Sequence, residues 1–316
     1  MLTTHVNPDG DGVGSMVALA SRLRARGTEA TIVTPGAAPG SLEFVYGDLP
    51  VFAASDPASR DPLDSADAVA VLDTAERSRI GGVVAALDRA GGVLIDHHPP
   101  VGDPIVEPSI RDPRACATGE LVFDLLGLDG RAPTRFEADA LYVAMTTDTG
   151  SFQFSNTSAR AHEIAAALLE AGVDPTAMYR HLYGTFTRAG LALLRHALSR
   201  LEIDPLSPVA WVAVDHEVQR DLGARSDDFE GLVDYPRRLA GIEVGLFFRA
   251  LSSSRTKVSL RSNGGVDVSQ IAHELGGGGH TRAAGVVLEA GLEEAIRTVV
   301  ERVRYASRAL QEDEES

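Results

Sequence analysis

Five aspartates and three histidines stand where short apolar runs end. Asp73 closes the run 68–72 (AVAVL), and Asp96, His97 and His98 close the run 92–95 (GVLI). His5, Asp9 and Asp11 lie between the first few residues and a helical pattern carried by Met16, Val17, Leu19, Ala20 and Leu23. Asp148 follows a second helical pattern over 137–145. The apolar runs, with 30–34 (ATIVT), are rich in β-branched residues and bounded by turn residues, as strands are. Further helical patterns fall at 80–87 and 160–171, where apolar residues recur on one face. Strands alternating with helices predict a parallel sheet covered on both faces. Ligands of such a sheet gather outside the carboxyl ends of its strands, so all four groups can converge on one edge.

Crowded carboxylates and imidazoles repel one another unless cations neutralise them. Several oxygen ligands with one or two imidazoles, and no thiolate, suit Mn²⁺ or Mg²⁺. Two ions about 3.5–4 Å apart, sharing one carboxylate, would activate a water and stabilise phosphoryl oxygens. In the segment 5–15, Pro8 stiffens the entry. Gly10 and Gly12 permit left-handed dihedrals, so Asp9 and Asp11 can turn toward a common centre. Gly14 and Ser15 are expected to open a helix whose amides favour an anion.

The chain has 316 residues and a formal charge of −16. Residues 1–186 carry 25 acidic and 13 basic side chains, a net of −12, and the tail Glu312, Asp313, Glu314 and Glu315 accounts for the remaining −4. An acidic chain gains little from counterion release along a nucleic-acid backbone, which disfavours a protein that coats long duplexes. A local grip on one or two phosphates stays open. Cys116 is the only cysteine, so no intrachain disulfide forms. No apolar run approaches a membrane span and no signal segment opens the chain. A cytoplasmic protein without a membrane partner is expected.

After the helical pattern 187–201 the style changes. Strand-like runs at 209–214, 242–248, 257–261 and 286–288, helical patterns at 268–275 and 292–310, and the glycine run 276–279 make a smaller α/β unit. The expected layout is α/β: residues 1–186 as a metal-binding domain with a mainly parallel sheet flanked by helices, 187–207 as a helical linker, and 208–316 as a smaller α/β domain. Arg261 can make a bidentate phosphate contact, and the glycines before His280 let backbone amides approach a phosphate.

Taken in order, His5-x3-Asp9-x-Asp11, Asp73, Asp96-His97-His98 and Asp148-Thr149-Gly150 resemble the four motifs of the DHH phosphoesterase superfamily. GGGGHTRAAG at 276–285 is similar to the signature of the accompanying DHHA1 domain. The layout resembles the branch of oligoribonucleases and pAp phosphatases. The resemblance implies two domains facing a cleft, a pair of Mn²⁺ ions with Mg²⁺ as the alternative, and a possible homodimer. It implies His5, Asp9 and Asp73 around one ion and Asp11, Asp73, His97 and Asp148 around the other, with Asp73 shared. A water between the ions would attack phosphorus in line. His98 would contact the scissile phosphate and help protonate or stabilise the leaving oxygen, and Asp96 would orient a neighbour. Arg261, Ser262, Asn263, Gly278, Gly279 and His280 would hold the terminal phosphate or nucleotide. Because His5 follows Met1 so closely, the physiological start is expected upstream.

The implied activity is release of 5′-mononucleotides from short oligoribonucleotides and dephosphorylation of pAp. A phosphodiesterase of c-di-AMP or pApA is a second reading. A RecJ-like exonuclease on longer strands is a third, though the extra domain and basic channel it needs are missing. A non-catalytic nucleotide sensor is a fourth, and the full ligand set argues against it.

Overall fold

Leu2–Thr3 form β1, and this short strand lies inside a sheet, not at its edge. The computed structural model describes residues 1–37, 39–99, 104–184 and 186–314, without the side chains of residues 227, 280 and 309–314. The chain divides into two units, Met1–Thr185 and Phe186–Ser316.

In the first unit β1 is followed by α1 (Gly10–Ala25), β2 (Ile32–Thr34), α2 (Glu43–Tyr46), β3 (Val51–Ala53), α3 (Arg60–Ser65) and β4 (Val69–Leu72). Then come α4 (Val84–Ala90), β5 (Gly92–Asp96), β6 (Ser109–Arg111), α5 (Thr118–Gly127), α6 (Arg135–Asp148), α7 (Ala159–Glu170) and α8 (Pro175–Tyr183). The sheet order is β3-β2-β1-β4-β5-β6, with every pair parallel. Alternate strand residues face opposite sides. Leu2, Ile32, Leu72 and Ile95 pack with α1, α5 and α6 through Met16, Val17, Val122, Leu141 and Met145. Val33, Val69, Val71 and Leu94 pack on the other side with Ile80, Val83 and Leu87. Both faces are buried, as a parallel sheet requires.

α1 packs closely on α6. A Cβ on Gly14 would stand 2.2 Å from the carbonyl oxygen of Ala140. Only glycine fits there, and the contact brings the first turn of α1 alongside the last turns of α6. The helix expected over 80–87 begins instead as a 3₁₀ segment, Arg77–Val83, because Gly81 takes φ 49°, ψ −127° and interrupts it before α4.

The second unit contains α9 (Arg188–Ser199), β7 (Glu202–Ile203), β8 (Val209–Val214), α10 (His216–Leu222), α11 (Asp234–Arg237), β9 (Val244–Ser252) and β10 (Arg255–Ser262). It ends with α12 (Val268–Glu274), β11 (Gly278–His280), β12 (Ala283–Leu288) and α13 (Leu292–Glu314). Its sheet, β11-β12-β10-β9-β8-β7, is mixed, with only β8 and β9 parallel. One face packs on α12 and α13 through Ile271, Val299 and Val303. The other packs on α9, where Leu193 and Ala197 are buried with Val212, Phe229 and Phe247. The helix expected to join two domains therefore contributes core to the second. Among the described residues no helix is long and apolar enough to cross a membrane.

Candidate metal centre and phosphate-binding face

The carboxyl edge of the first sheet gathers the predicted residues. His5 follows β1, Asp73 follows β4, and Asp96 ends β5 with His97 and His98 directly after it. Asp9 and Asp11 stand at the start of α1 and Asp148 at the end of α6.

The segment around Asp9 differs from the expected loop. Gly10, Asp11, Gly12 and Gly14 already belong to α1, with Asp9 as its cap: one Asp9 oxygen accepts from the amides of Asp11 and Gly12, both at 3.1 Å. Gly10 and Gly12 are not left-handed. They are small because a Cβ would meet the side chain of Thr147 at 2.5 Å and of Thr4 at 2.4 Å, respectively. Helix packing, not turn geometry, selects them, and the amides expected to receive an external anion already serve Asp9.

Three groups of ligand atoms each lie within 4.8 Å: His5 with Asp9 and Asp73, Asp11 with His97 and Asp148, and Asp73 with His97 and His98. Asp73 faces both ways. Its Oδ2 is 3.3 Å from His5 Nε2, and its Oδ1 is 3.7 Å from His97 Nε2. His97 Nε2 is also 3.7 Å from Asp11 Oδ2 and 3.6 Å from Asp148 Oδ2. Asp73 holds a left-handed φ of 64°. Such a conformation costs a non-glycine residue about 1–3 kcal/mol and marks positions set by function.

The histidine tautomers follow from their neighbours. His5 Nδ1 donates to the Val6 carbonyl at 2.9 Å and His97 Nδ1 to the Ala115 carbonyl at 3.2 Å, so each Nε2 turns to the carboxylates. Asp96 is wholly buried, and its Oδ1 accepts from the backbone amide of His98 at 3.1 Å and pairs with His98 Nδ1 at 2.8 Å. Asp96 thus supports His98.

The electrostatics are those of an anionic pocket. Burial, followed by the charges of Asp73, Asp148 and Asp9, holds Asp11 well above the ordinary carboxylate range. Burial also lifts Asp148 to about 6, with the charge of Asp73 adding to it against the pull of His97. Burial disfavours a charged His5, yet hydrogen bonds to Asp73 and Asp9 outweigh it and raise His5 to about 10. His98 is raised as well, because Asp96 overcomes the effect of burial. Inward-facing imidazole nitrogens among carboxylates that suppress one another's ionisation form a donor set that fits divalent cations.

Residues with no chemistry of their own in the motifs hold the ligands. Asp11 caps α5 from a distance: its carboxylate accepts from the amides of Thr118 at 2.6 Å and Gly119 at 2.9 Å. Ala117, the residue in the cap position of α5, offers no side-chain hydrogen bond of its own. Thr118 Oγ1 donates to Asp73 Oδ1 at 3.0 Å. The signal was the missing cap at Ala117-Thr118-Gly119, an uncapped helix start that implies a partner elsewhere.

In the second unit Arg261 sits on β10 opposite Ala283 of β12, which sits opposite His280 of β11. The side chain of His280 lies outside the described residues. Burial lowers the pKa of Arg261, and among the described residues its guanidinium makes no salt bridge; Nη1 donates to the Leu260 carbonyl at 3.1 Å. Ser262 and Asn263 have structural partners. Ser262 Oγ donates to Glu243 Oε1 at 3.2 Å, and Asn263 Nδ2 donates to the carbonyls of Ile242 at 2.8 Å and Arg237 at 3.1 Å. The glycine run is not a loop throughout. Gly278 and Gly279 lie in β11, and a Cβ on Gly279 would stand 2.5 Å from the Ala283 carbonyl oxygen.

Comparison with known proteins agrees with both units. The model of the DHH family N-terminal domain matches residues 1–145 and that of the DHHA1 domain residues 209–306. The chain belongs to the DHH family, in its two-domain DHH–DHHA1 form, and is a phosphoesterase. A protein of Thermus thermophilus described as bifunctional oligoribonuclease and PAP phosphatase NrnA is 37% identical over 314 residues, covering 96% of this chain and 88% of its own. Its Bacillus subtilis counterpart is 27% identical, covering 90% and 88%. The crystal structure of an exopolyphosphatase-related protein from Bacteroides fragilis superposes with a TM-score of 0.91 at 26% identity, covering 98% of this chain and 93% of that one.

Proposed function

We propose that this phosphoesterase hydrolyses short oligoribonucleotides to 5′-mononucleotides and removes the 3′-phosphate of pAp, with two Mn²⁺ ions bound at the sheet edge. The observation that carries the reading is Asp73, whose two oxygens face two separate groups of ligand atoms. Its similarity to the two NrnA proteins supports the substrate class. His5, Asp9 and Asp73 would hold one ion, and Asp11, Asp73, His97 and Asp148 the other. Bound there, the ions supply a lowered pKa for the attacking water and charge stabilisation for the phosphoryl oxygens.

The chain's own residues do the rest. Asp96 keeps a proton on His98, which donates it to the leaving oxygen. Arg261 holds a second phosphate by charge-assisted hydrogen bonds, and Gly278, Gly279 and His280 line its neighbourhood on the sheet. Both pAp and short oligoribonucleotides carry a phosphate besides the one hydrolysed.

The test is a substrate panel with Mn²⁺: pAp, two- to five-mers, a long strand labelled at either end, and c-di-AMP. Mononucleotides from the short oligomers and inorganic phosphate from pAp are expected. Turnover confined to the long strand, or to c-di-AMP, would overturn the reading.

A further inference from the structure

The ligands of the two proposed ions are supported in different ways. His5 and Asp9 are held locally: His5 by the carbonyl of the next residue, Asp9 by the first amides of the helix it caps. The remaining ligand atoms converge on one short segment, residues 115–119, before and within the first turn of α5. The Ala115 carbonyl receives His97 Nδ1, the Thr118 and Gly119 amides hold both oxygens of Asp11, and the Thr118 hydroxyl holds Asp73 Oδ1. That Asp73 oxygen faces His97, while Oδ2 faces His5.

Asp148 joins the same segment through Asn156. The Asn156 amide nitrogen donates to the Cys116 carbonyl at 2.8 Å and to Asp148, at 3.1 Å to its carbonyl and 3.3 Å to Oδ2. Asn156 Oδ1 is buried with no hydrogen-bond partner. Burying an unpaired amide oxygen is unfavourable, and turning the amide over would bring that oxygen against two carbonyls and a carboxylate. The amide is therefore fixed in the orientation that serves Asp148. The segment itself is rigid: Ala115, Cys116, Ala117 and Thr118 are all buried, and the Cys116 amide is tied to Glu120 Oε2 at 3.0 Å.

We infer that Thr118 and Asn156 are positioning residues for one ion only, the one assigned to Asp11, His97, Asp148 and Asp73 Oδ1. The inference rests on the two-ion reading above. Partners of metal ligands typically contribute 10–100-fold to metal affinity. Here that contribution is directed to one of two neighbouring positions, so the two ions would differ in their dependence on the segment 115–119.

The experiment titrates the full chain with Mn²⁺ in the absence of substrate, reading free Mn²⁺ by electron paramagnetic resonance. Wild type, Thr118→Val, Thr118→Ser and Asn156→Ala are compared, with thermal melts of the metal-free proteins as a folding control. Wild type is expected to bind two ions. Thr118→Val and Asn156→Ala are each expected to keep one ion at wild-type affinity and to weaken the other about 10–100-fold. Thr118→Ser, which keeps the hydroxyl, is expected to restore it. Equal weakening of both ions, or of neither, overturns the inference while leaving the two-ion reading standing. A wild-type chain that binds fewer than two ions overturns both.

Discussion

Asp96, fully buried at the end of β5, holds His98 through a 2.8 Å contact between Oδ1 and Nδ1. The pairing raises the His98 pKa against the opposing effect of burial. Asp96→Asn removes the anion, so the His98 pKa falls and less of the ring is protonated near neutral pH. The limb of the kcat profile that reports the general acid should then move to lower pH, with kcat down about 10²–10⁴-fold at neutral pH. An unmoved profile would show that His98 is not the acid.

Asp73→Ala removes the carboxylate that faces both ligand groups. Hydrolysis of pAp and of short oligoribonucleotides should be lost. Near-wild-type turnover with Mn²⁺ would reject a shared-carboxylate mechanism.

Metal uptake should release protons. In the metal-free chain His5 is protonated up to about pH 10, and Asp148 up to about 6, with Asp11 also raised. Ligands must be deprotonated to bind a cation. Adding Mn²⁺ to weakly buffered protein at pH 7 should therefore acidify the solution by roughly one proton or more per chain, and apparent affinity should climb with pH. Calorimetry in buffers of different ionisation enthalpy measures the count; no release at pH 7 would contradict the protonated His5.

Arg261→Ala should raise KM for short substrates and pAp about tenfold to a hundredfold, since a hydrogen bond to a charged group contributes about 1.5–3 kcal/mol. The kcat should stay within about threefold, because the guanidinium would bind ground state and transition state alike. Steady-state kinetics separate the two, and an unchanged KM would place the phosphate elsewhere.

Arg22 is a structural cation. It donates to both oxygens of Glu137 at 3.0 and 2.9 Å and to Asp129 at 2.8 Å, and it is 6% exposed. Arg22→Met takes the buried cation away and leaves Glu137 with the Thr134 amide, and Asp129 with the Arg131 amide and Arg26 at 3.7 Å, which should lower stability at neutral pH. Burial alone would raise Glu137 and Asp129; Arg22 and the Thr134 amide hold Glu137 below its ordinary value, and the Arg131 amide with Arg22 holds Asp129 below its own. The stability this pairing contributes is present above the ordinary carboxylate range and is lost as pH falls through the depressed native pKa values. Urea denaturation should accordingly show the gap between variant and wild type narrowing below about pH 4.

The metal edge was legible because β-branched runs end in acidic residues and histidines, and that pattern survives without tertiary context. Its supports were not. Thr118 and Asn156 lie 45 and 8 residues from the aspartates they touch, and nothing in their local sequence names those partners. The glycines at 10 and 12 carried a turn signal, yet the space left by Thr147 and Thr4 decides them. Ser262 and Asn263 are polar and follow a strand, but their hydrogen bonds to Glu243 and to two backbone carbonyls leave no mark in the local sequence. β3 and β6 are three residues each, too short to show a period, and β11 is a strand only through its pairing with β12.

Asp11, a proposed ligand, caps α5 with the same two oxygens that would face the ion. Substituting it would strip the start of α5 of its cap as well as remove a proposed ligand, and a lost cap alone destabilises a helix by about 0.5–2 kcal/mol. An inactive Asp11 variant would thus mix a loosened helix with a vacated coordination position. Asp148, whose carboxylate caps no helix, is the cleaner place to ask what the ion itself contributes.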